Sequence, residues 1–103
     1  MNKTNLRGVV LNEANLNGAD LSGADLSWAS LNGAELRQAS LIEASLNNTT
    51  ITDACLWEIR SAGWSIQGII CETIYWDRNR EERMTYTPGQ FEQLHADQQQ
   101  AIY

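Results

Sequence analysis

Leucine recurs at every fifth position over the first half of the chain, and a small residue stands two positions before each leucine. The leucine positions, one of them isoleucine, are Leu6, Leu11, Leu16, Leu21, Leu26, Leu31, Leu36, Leu41, Leu46, Ile51 and Leu56. The small positions are Thr4, Val9, Ala14, Ala19, Ala24, Ala29, Ala34, Ala39, Ala44, Thr49 and Ala54. A helix needs apolar residues near every 3.6 positions and a strand needs them at every second position, so neither fits. A fixed short period instead predicts a solenoid, in which each five-residue unit forms one side of a coil and then turns a corner.

The polar residues fit the same interpretation. Within a unit the leucine and the small residue point in one direction, as residues i and i+2 do on a strand, so we expect both to point inward. The outward positions are mostly polar: Asn5, Arg7, Asn12, Glu13, Asn15, Asn17, Asp20, Ser22, Asp25, Ser27, Asn32 and Glu35. Gly8, Gly18, Gly23 and Gly33 each stand two residues after a leucine, where glycine would ease the backbone around a corner.

Units such as those at residues 19–23 (Ala-Asp-Leu-Ser-Gly) and 24–28 (Ala-Asp-Leu-Ser-Trp) resemble the pentapeptide-repeat family, whose repeat reads Ala-Asp/Asn-Leu-x-x. The resemblance covers residues 4–58, with eleven consecutive units in register. It implies an all-β solenoid, a right-handed quadrilateral β-helix with four units in each coil and about three to four coils in this chain. Residues 71–75 and 88–92 are similar, over a shorter stretch, to the tail of some cyanobacterial members.

The leucines stop at Leu56, but the register continues through larger side chains. Counting on by five gives Ile59, Ser61, Trp64, Ile66, Ile69, Cys71, Ile74 and Trp76 as inward positions. We therefore predict a degenerate final coil over residues 59–77, whose bulky side chains close one end of the core. The alternative is a separate small hairpin over residues 64–76.

The remaining residues, 78–103, predict a charged loop followed by a short C-terminal α-helix. Thr87 suits the N-cap, Pro88 the first helical position, and Gln90 the far end of a capping box. The apolar stripe of this helix is Phe91, Leu94, Ala101 and Ile102. The domain division is thus residues 1–77 for the repeats and residues 78–103 for the loop and helix.

Composition limits the partners of the chain. Thirteen acidic and seven basic residues among 103 give a net charge of −6, which opposes direct nucleic-acid binding and permits binding to a basic protein surface. No apolar run is long enough to cross a membrane. Residues 1–5 lack an apolar signal segment, so we expect a cytoplasmic location.

The sequence predicts no catalytic, cofactor or metal site, and hence no enzyme. His95 is the single histidine, no Cys/His spacing fits a metal, and no glycine-rich phosphate loop precedes a helix. Cys71 falls on an inward position. Cys55 falls on an outward one, where its thiol is expected to be exposed.

The candidate interaction surface follows from the four-unit coil that the resemblance implies, because residues twenty apart would then share a column. Trp57 would stack between Arg37 and Asp77, with Tyr75 beside it near the C-terminal end. One alternative is that the C-terminal helix covers these aromatics with its apolar stripe, and the other is that they contact a partner or a second copy. The candidate surface residues are Trp57, Tyr75, Phe91, Leu94 and, outward elsewhere, Trp28.

These observations predict a non-catalytic protein-interaction or scaffold module with an unidentified protein partner, or a homodimer through its C-terminal end. The alternative comes from the resemblance: some pentapeptide-repeat proteins imitate DNA and act on type II topoisomerases such as gyrase. With strands about 4.8 Å apart, three to four coils span only about 15–20 Å, so such a role would require an end-to-end dimer.

Overall fold

The computed structural model describes residues 4–96, and its repeats form four ladders of parallel β-bridges. Every bridge joins residues twenty apart, so one turn of the chain takes four five-residue units. We name each face by the first residue of its ladder. The Asn5 face carries Asn5, Asp25, Ser45 and Ser65; the Val10 face carries Val10, Ser30, Thr50 and Ile70; the Asn15 face carries Asn15, Glu35, Cys55 and Tyr75; the Asp20 face carries Asp20, Ser40 and Arg60.

The leucine and alanine columns point inward, as the period predicts. The leucine positions from Leu21 to Leu56 and the small positions from Ala24 to Ala54 are all buried. Leu6, Leu11 and Leu16 are only partly buried, because the first turn has a neighbouring turn on one side alone. The core is therefore a stack of side chains that begins near the N-terminus and is fully buried from Leu21 to Leu56.

The corners lie two residues after each leucine position, and there the backbone is left-handed. Gly18 has a φ of +73°, which glycine adopts without steric cost. Larger residues hold the same conformation at other corners, Trp28 among them with a φ of +65°. A non-glycine residue in this region costs about 1–2 kcal/mol, so the bridges on both sides of the corner must hold it in place.

The repeat register runs past Leu56. Ser65 bridges to Ser45 and Ile70 to Thr50, so these residues extend the ladders and do not form the alternative hairpin over residues 64–76. The inward side chains of this stretch, Trp64, Ile66, Ile69, Cys71 and Ile74, are buried, and so is Ser61. The domain division at residue 77 stays a prediction.

An antiparallel strand pair closes the last turn. Strand β1 (Ala54–Cys55) pairs in parallel with β2 (Thr73–Tyr75), and β2 pairs antiparallel with β3 (Arg83–Thr85), giving the sheet order β1-β2-β3. The sequence did not predict β3, since its polar-apolar-polar alternation covers only three residues, which is too short to indicate a strand.

The described helix, α1 (Gln90–His95), begins two residues later than the capping signals predict. Thr87 is not its N-cap; Gly89, with a φ of +80°, takes that position. One half of the predicted capping box does form, because the Thr87 N–H donates to Oε1 of Gln90 at 2.9 Å. Ala101 and Ile102 of the predicted stripe lie outside the described residues. No helix within residues 4–96 has the length and hydropathy to cross a membrane.

Candidate interaction surface

Five rings close the C-terminal end of the core, and we call them the aromatic cap: Trp64, Trp76, Tyr86, Phe91 and His95. Phe91 lies at their centre and is 1% exposed. Its ring centroid lies 6.2 Å from those of both tryptophans, 5.2 Å from that of Tyr86 and 4.6 Å from that of His95. The sequence anticipated that Trp64 and Trp76 would close the end of the core, and missed that Tyr86 and Phe91 complete the closure.

Within the described residues, helix α1 packs into the aromatic cap, so the alternative in which this helix covers Trp57 and Tyr75 is not the arrangement found there. Phe91 points into the cap and Leu94 is 59% exposed. Two arginines of the preceding loop take the covering role. The Arg78 guanidinium lies 5.5 Å from the Trp57 ring centroid, and the Arg80 guanidinium lies 4.6 Å from that of Tyr75.

Long-range hydrogen bonds hold this loop against the solenoid. Nε of Arg37 donates to the carbonyl oxygen of Arg78 at 2.6 Å. Nη2 of Arg80 donates to the carbonyl oxygen of Asp53, also at 2.6 Å. The guanidinium of Arg80 is thus fixed from two sides, by a ring and by a backbone carbonyl, and this fixes the loop above Tyr75.

The loop also carries its own internal brace. The Asp77 carboxylate accepts hydrogen bonds from the N–H groups of Glu81, at 2.9 Å, and Glu82, at 3.0 Å. These backbone donors lower the pKa of Asp77 below its usual value, so the carboxylate that organises the loop stays ionised at neutral pH.

An acidic groove of about 910 Å³ runs beside this loop, along the corner between the Val10 and Asn15 faces. Four carboxylates line it, those of Glu13, Glu35, Asp53 and Glu72, and Tyr75 and Arg80 also line it. The Arg37 guanidinium binds the Glu35 carboxylate and lowers the pKa of Glu35, so this carboxylate is ionised at neutral pH.

Both cysteines are buried. The expectation that the Cys55 thiol is exposed is wrong, because Cys55 is fully buried beneath the loop and its Sγ donates to the carbonyl oxygen of Asp77. Cys71 is also buried. Burial, with further contributions from Asp53 and Glu72, raises the pKa of Cys71 to about 12. Its thiol is therefore protonated at neutral pH.

The structure thus divides the predicted surface residues among separate places. Trp57 and Tyr75 lie under the loop beside the acidic groove, whereas Phe91 belongs to the aromatic cap. Leu94 and Trp28 are exposed on other parts of the surface, Trp28 by 64%. Within residues 4–96, no group of three or more His, Cys, Asp and Glu side chains could hold a metal ion.

His95 lies in the aromatic cap within a chain of hydrogen bonds. Nε1 of Trp76 donates to the Tyr86 hydroxyl at 2.7 Å, and this hydroxyl lies 3.4 Å from Nε2 of His95. A hydroxyl that accepts from Trp76 is free to donate to Nε2, which requires the neutral imidazole. Burial lowers the pKa of His95 below its usual 6.5, because the charged form is poorly solvated there.

We expect acidification to weaken the aromatic cap. The unfolded chain binds a proton at His95 near pH 6.5 and the folded chain only at lower pH, so stability falls as pH drops from about 7.5 to 5.5. Urea unfolding at both pH values should show this loss in the wild type and a smaller loss in His95→Gln. The carboxylates whose pKa values are lowered take up protons only below pH 5.5. Their titration therefore does not contribute to a loss of stability between pH 7.5 and 5.5. Equal losses in the two proteins would contradict the assignment to His95.

Several solved structures are similar to this chain, among them the following two. The first is a pentapeptide repeat protein from the thylakoid lumen of Arabidopsis thaliana, 21% identical, with a TM-score of 0.51, covering 64% of this chain. The match covers 60% of that protein, and at this identity it shows the fold alone. The second is a pentapeptide repeat protein from Nostoc PCC 7120, 26% identical over 75% of this chain and 77% of the other, with a TM-score of 0.31. No curated protein matches the chain.

The family model for pentapeptide repeats matches the chain in eight copies, over residues 1–27 and 19–57. These matches include the units at residues 19–28 that carry the resemblance in the sequence, and together they cover more than half of the chain. The first solved relative has the same kind of fold, which is a right-handed β-helix. The chain therefore belongs to the pentapeptide-repeat family.

Proposed function

We propose that this protein is a non-catalytic protein-interaction module that binds a basic segment of a partner protein in its acidic groove. The proposal rests on the groove, which is concave and has a volume of about 910 Å³. The interior of the protein is filled with leucine and alanine side chains, so the groove lies on the outside of the solenoid. Membership in the pentapeptide-repeat family supports a repeat module of this non-catalytic kind. The right-handed solenoid, of about three to four coils, serves as a rigid support for the groove.

The chemistry of the groove favours a cationic partner. Glu13 and Glu72 are exposed, and the Glu35 carboxylate is ionised. Arg80 lines the groove and Arg37 binds the Glu35 carboxylate, so two cations offset the four carboxylates only in part. A lysine- or arginine-rich segment would therefore meet a negative potential, and the net charge of −6 would steer it toward the protein.

The groups that could act in catalysis lie elsewhere or are unreactive. The imidazole of His95 faces Tyr86 within the aromatic cap and not the acidic groove. The thiol of Cys71 is protonated and that of Cys55 is buried. These placements favour binding over reaction chemistry.

Comparative pull-down experiments test the proposal. The wild type should retain a stoichiometric protein partner from its native lysate, whereas the double variant Glu13→Lys and Glu72→Lys should lose it, because the groove charge is reversed. The matched control is Glu43→Lys with Glu58→Lys, which changes the net charge by the same amount at exposed corners outside the groove. Binding should weaken as salt rises, since exposed charges are screened within about 10 Å at 0.1 M ionic strength. Equal retention by both double variants would refute the groove as the binding surface.

The DNA-mimic alternative receives less support. It rests on the net charge of −6, and the longest dimension of the described molecule is 32 Å. That length corresponds to about nine base pairs of duplex DNA at 3.4 Å each. A topoisomerase would therefore meet only a short imitation of its substrate unless several copies were joined end to end.

A further inference from the structure

The first turn of the solenoid, residues 5–22, forms an end surface that no described segment covers, and we call it the open end. Inward side chains of this turn are only partly buried, whereas Leu26, Leu31 and Leu36 of the second turn are buried. The partly buried apolar side chains of the first turn are Leu6, Val9, Leu11, Leu16 and Ala19. The aromatic cap closes the opposite end, so the apolar core meets water mainly at the open end.

The backbone of the first turn directs a row of hydrogen-bonding groups out of the open end. Ser30, in the second turn, shows their direction: its N–H donates to the carbonyl oxygen of Val9 at 2.9 Å, and its own carbonyl oxygen accepts from the Leu11 N–H at 2.8 Å. Both groups of this one residue therefore point toward the N-terminal end. The other bridge residues of the second turn do the same, and they are Asp25, Glu35 and Ser40.

One turn earlier, the equivalent residues lie at the edge of the solenoid, and we call them the edge residues: Asn5, Val10, Asn15 and Asp20. Within residues 4–96, neither the backbone N–H nor the carbonyl oxygen of any edge residue has a hydrogen-bond partner. Each of the four sides thus offers one donor and one acceptor from a single residue. Unpaired strand edges of this kind are sites at which a further strand adds.

Charged side chains leave most of the open end free. The Arg7 guanidinium leans toward the second turn, where it lies 3.4 Å from the Asp25 carboxylate. The side chain of Glu13 also leans toward the second turn, since its Cγ packs against Gly33. The remaining charge of the first turn is Asp20, whose carboxylate accepts a hydrogen bond from the backbone of its own turn. With one basic and two acidic residues, the first turn carries little of the net charge of −6.

We propose that two copies of this chain pair through their open ends and form a head-to-head dimer, with antiparallel strands across the interface. In an antiparallel pair, a residue whose N–H and carbonyl oxygen point the same way exchanges both hydrogen bonds with the residue opposite it. A single added strand would pair with one side of the coil. The open end of a second copy presents all four sides at the same spacing, and it brings the two partly exposed leucine columns together as one core.

One two-fold axis pairs all four edge residues. The rotation reverses the order of the sides, so an axis through the corner between the Val10 and Asn15 faces sets Val10 opposite Asn15 of the second copy. The same axis sets Asn5 opposite Asp20, so the charged edge residues do not oppose each other. Four pairs exchange about eight hydrogen bonds, against about ten in a typical protein interface. The aromatic cap blocks growth at the other end, so association stops at the dimer.

Sedimentation analysis of the full chain from micromolar to millimolar concentration tests the proposal. The wild type should show a monomer–dimer equilibrium. Val10→Pro should weaken the dimer at least about tenfold, because it removes an edge N–H from each copy and places a ring on the open end. Val10→Thr is the matched control, since it keeps the N–H and the branched shape of the outward side chain, and it should dimerise like the wild type. A wild type that is monomeric at millimolar concentration, assemblies larger than a dimer, or equal association by both variants would overturn the proposal.

Hydrogen exchange of the wild type locates the contact without any substitution. The amides of Val10, Asn15 and Asp20 should exchange more slowly as the protein concentration rises through the range of dimer formation. The amide of Ala62 is the control, because it lies on an exposed corner near the other end, has no hydrogen-bond partner within residues 4–96, and should exchange equally at all concentrations. A dimer that leaves the edge amides unprotected would refute the open end as its interface. That result would leave the test of the acidic groove untouched, because Val10 does not line the groove.

Discussion

Replacing Leu31 by lysine should leave the chain unfolded. Leu31 has no exposed surface and lies in the interior column between Leu11, one turn earlier, and Ile51, one turn later. The substitution loses the burial of a leucine, worth about 1.5–3 kcal/mol, and places an ammonium group in a core of leucine and alanine. The effective penalty for a buried ion is several kcal/mol more. A domain of this size has about 5–15 kcal/mol of stability in total, so the sum removes most or all of it.

Far-UV circular dichroism and urea unfolding measure this outcome. The matched control is Gln38→Lys, which introduces the same side chain at the exposed corner of the next five-residue unit and should unfold like the wild type. A folded Leu31→Lys protein with a wild-type unfolding midpoint would mean that the leucine column does not form the core.

The repeat part of the fold follows from the sequence because its information is local and periodic. Each unit carries its own inward leucine and alanine and its own corner, so a pattern such as that around Leu21 and Gly23 already indicates the direction of every side chain. Stacking then follows, since a single unit cannot bury its leucine alone. The bridges between residues twenty apart are the result, and they continue to Ile70 even where the leucines are absent.

The surface could not be predicted in the same way, because it depends on single contacts between distant residues. The hydrogen bond between Arg37 and Arg78 spans 41 positions, and nothing in the charged loop marks Arg78 and Arg80 as the residues that cover Trp57 and Tyr75. The burial of Cys55 has the same origin, since the returning loop covers an outward position. Nor does the sequence show that the acidic groove brings together carboxylates from successive turns.

The aromatic cap depends both on the periodic register of the repeats and on single contacts between distant residues. Trp64 and Trp76 are inward residues of the register, and their bulk indicates that the core ends there. Tyr86 and Phe91 come from the aperiodic tail, where no repeat fixes their direction. The cap also completes hydrogen bonds of the last turn, because Nε1 of Trp64 donates to the carbonyl oxygen of His95 at 2.8 Å. The stability of the last turn should therefore depend on the tail.

Phe91→Ala should detach the tail from the last turn. Phe91 is 1% exposed and contacts four other rings, and truncation of a buried phenylalanine to alanine costs about 3–5 kcal/mol. We expect urea unfolding to show this loss, and the emission of Trp64 and Trp76 to shift to longer wavelength at lower urea concentrations than the loss of β-structure. The loss begins at one end because turns of a solenoid contact only their neighbours. Leu94→Ala is the matched control, since it makes the same kind of truncation on the same helix at a side chain that is 59% exposed, and it should change stability by no more than about 0.5 kcal/mol. If both variants lost the same stability, α1 would contribute through its helical structure alone, and the packing of Phe91 would not be what holds the tail against the core.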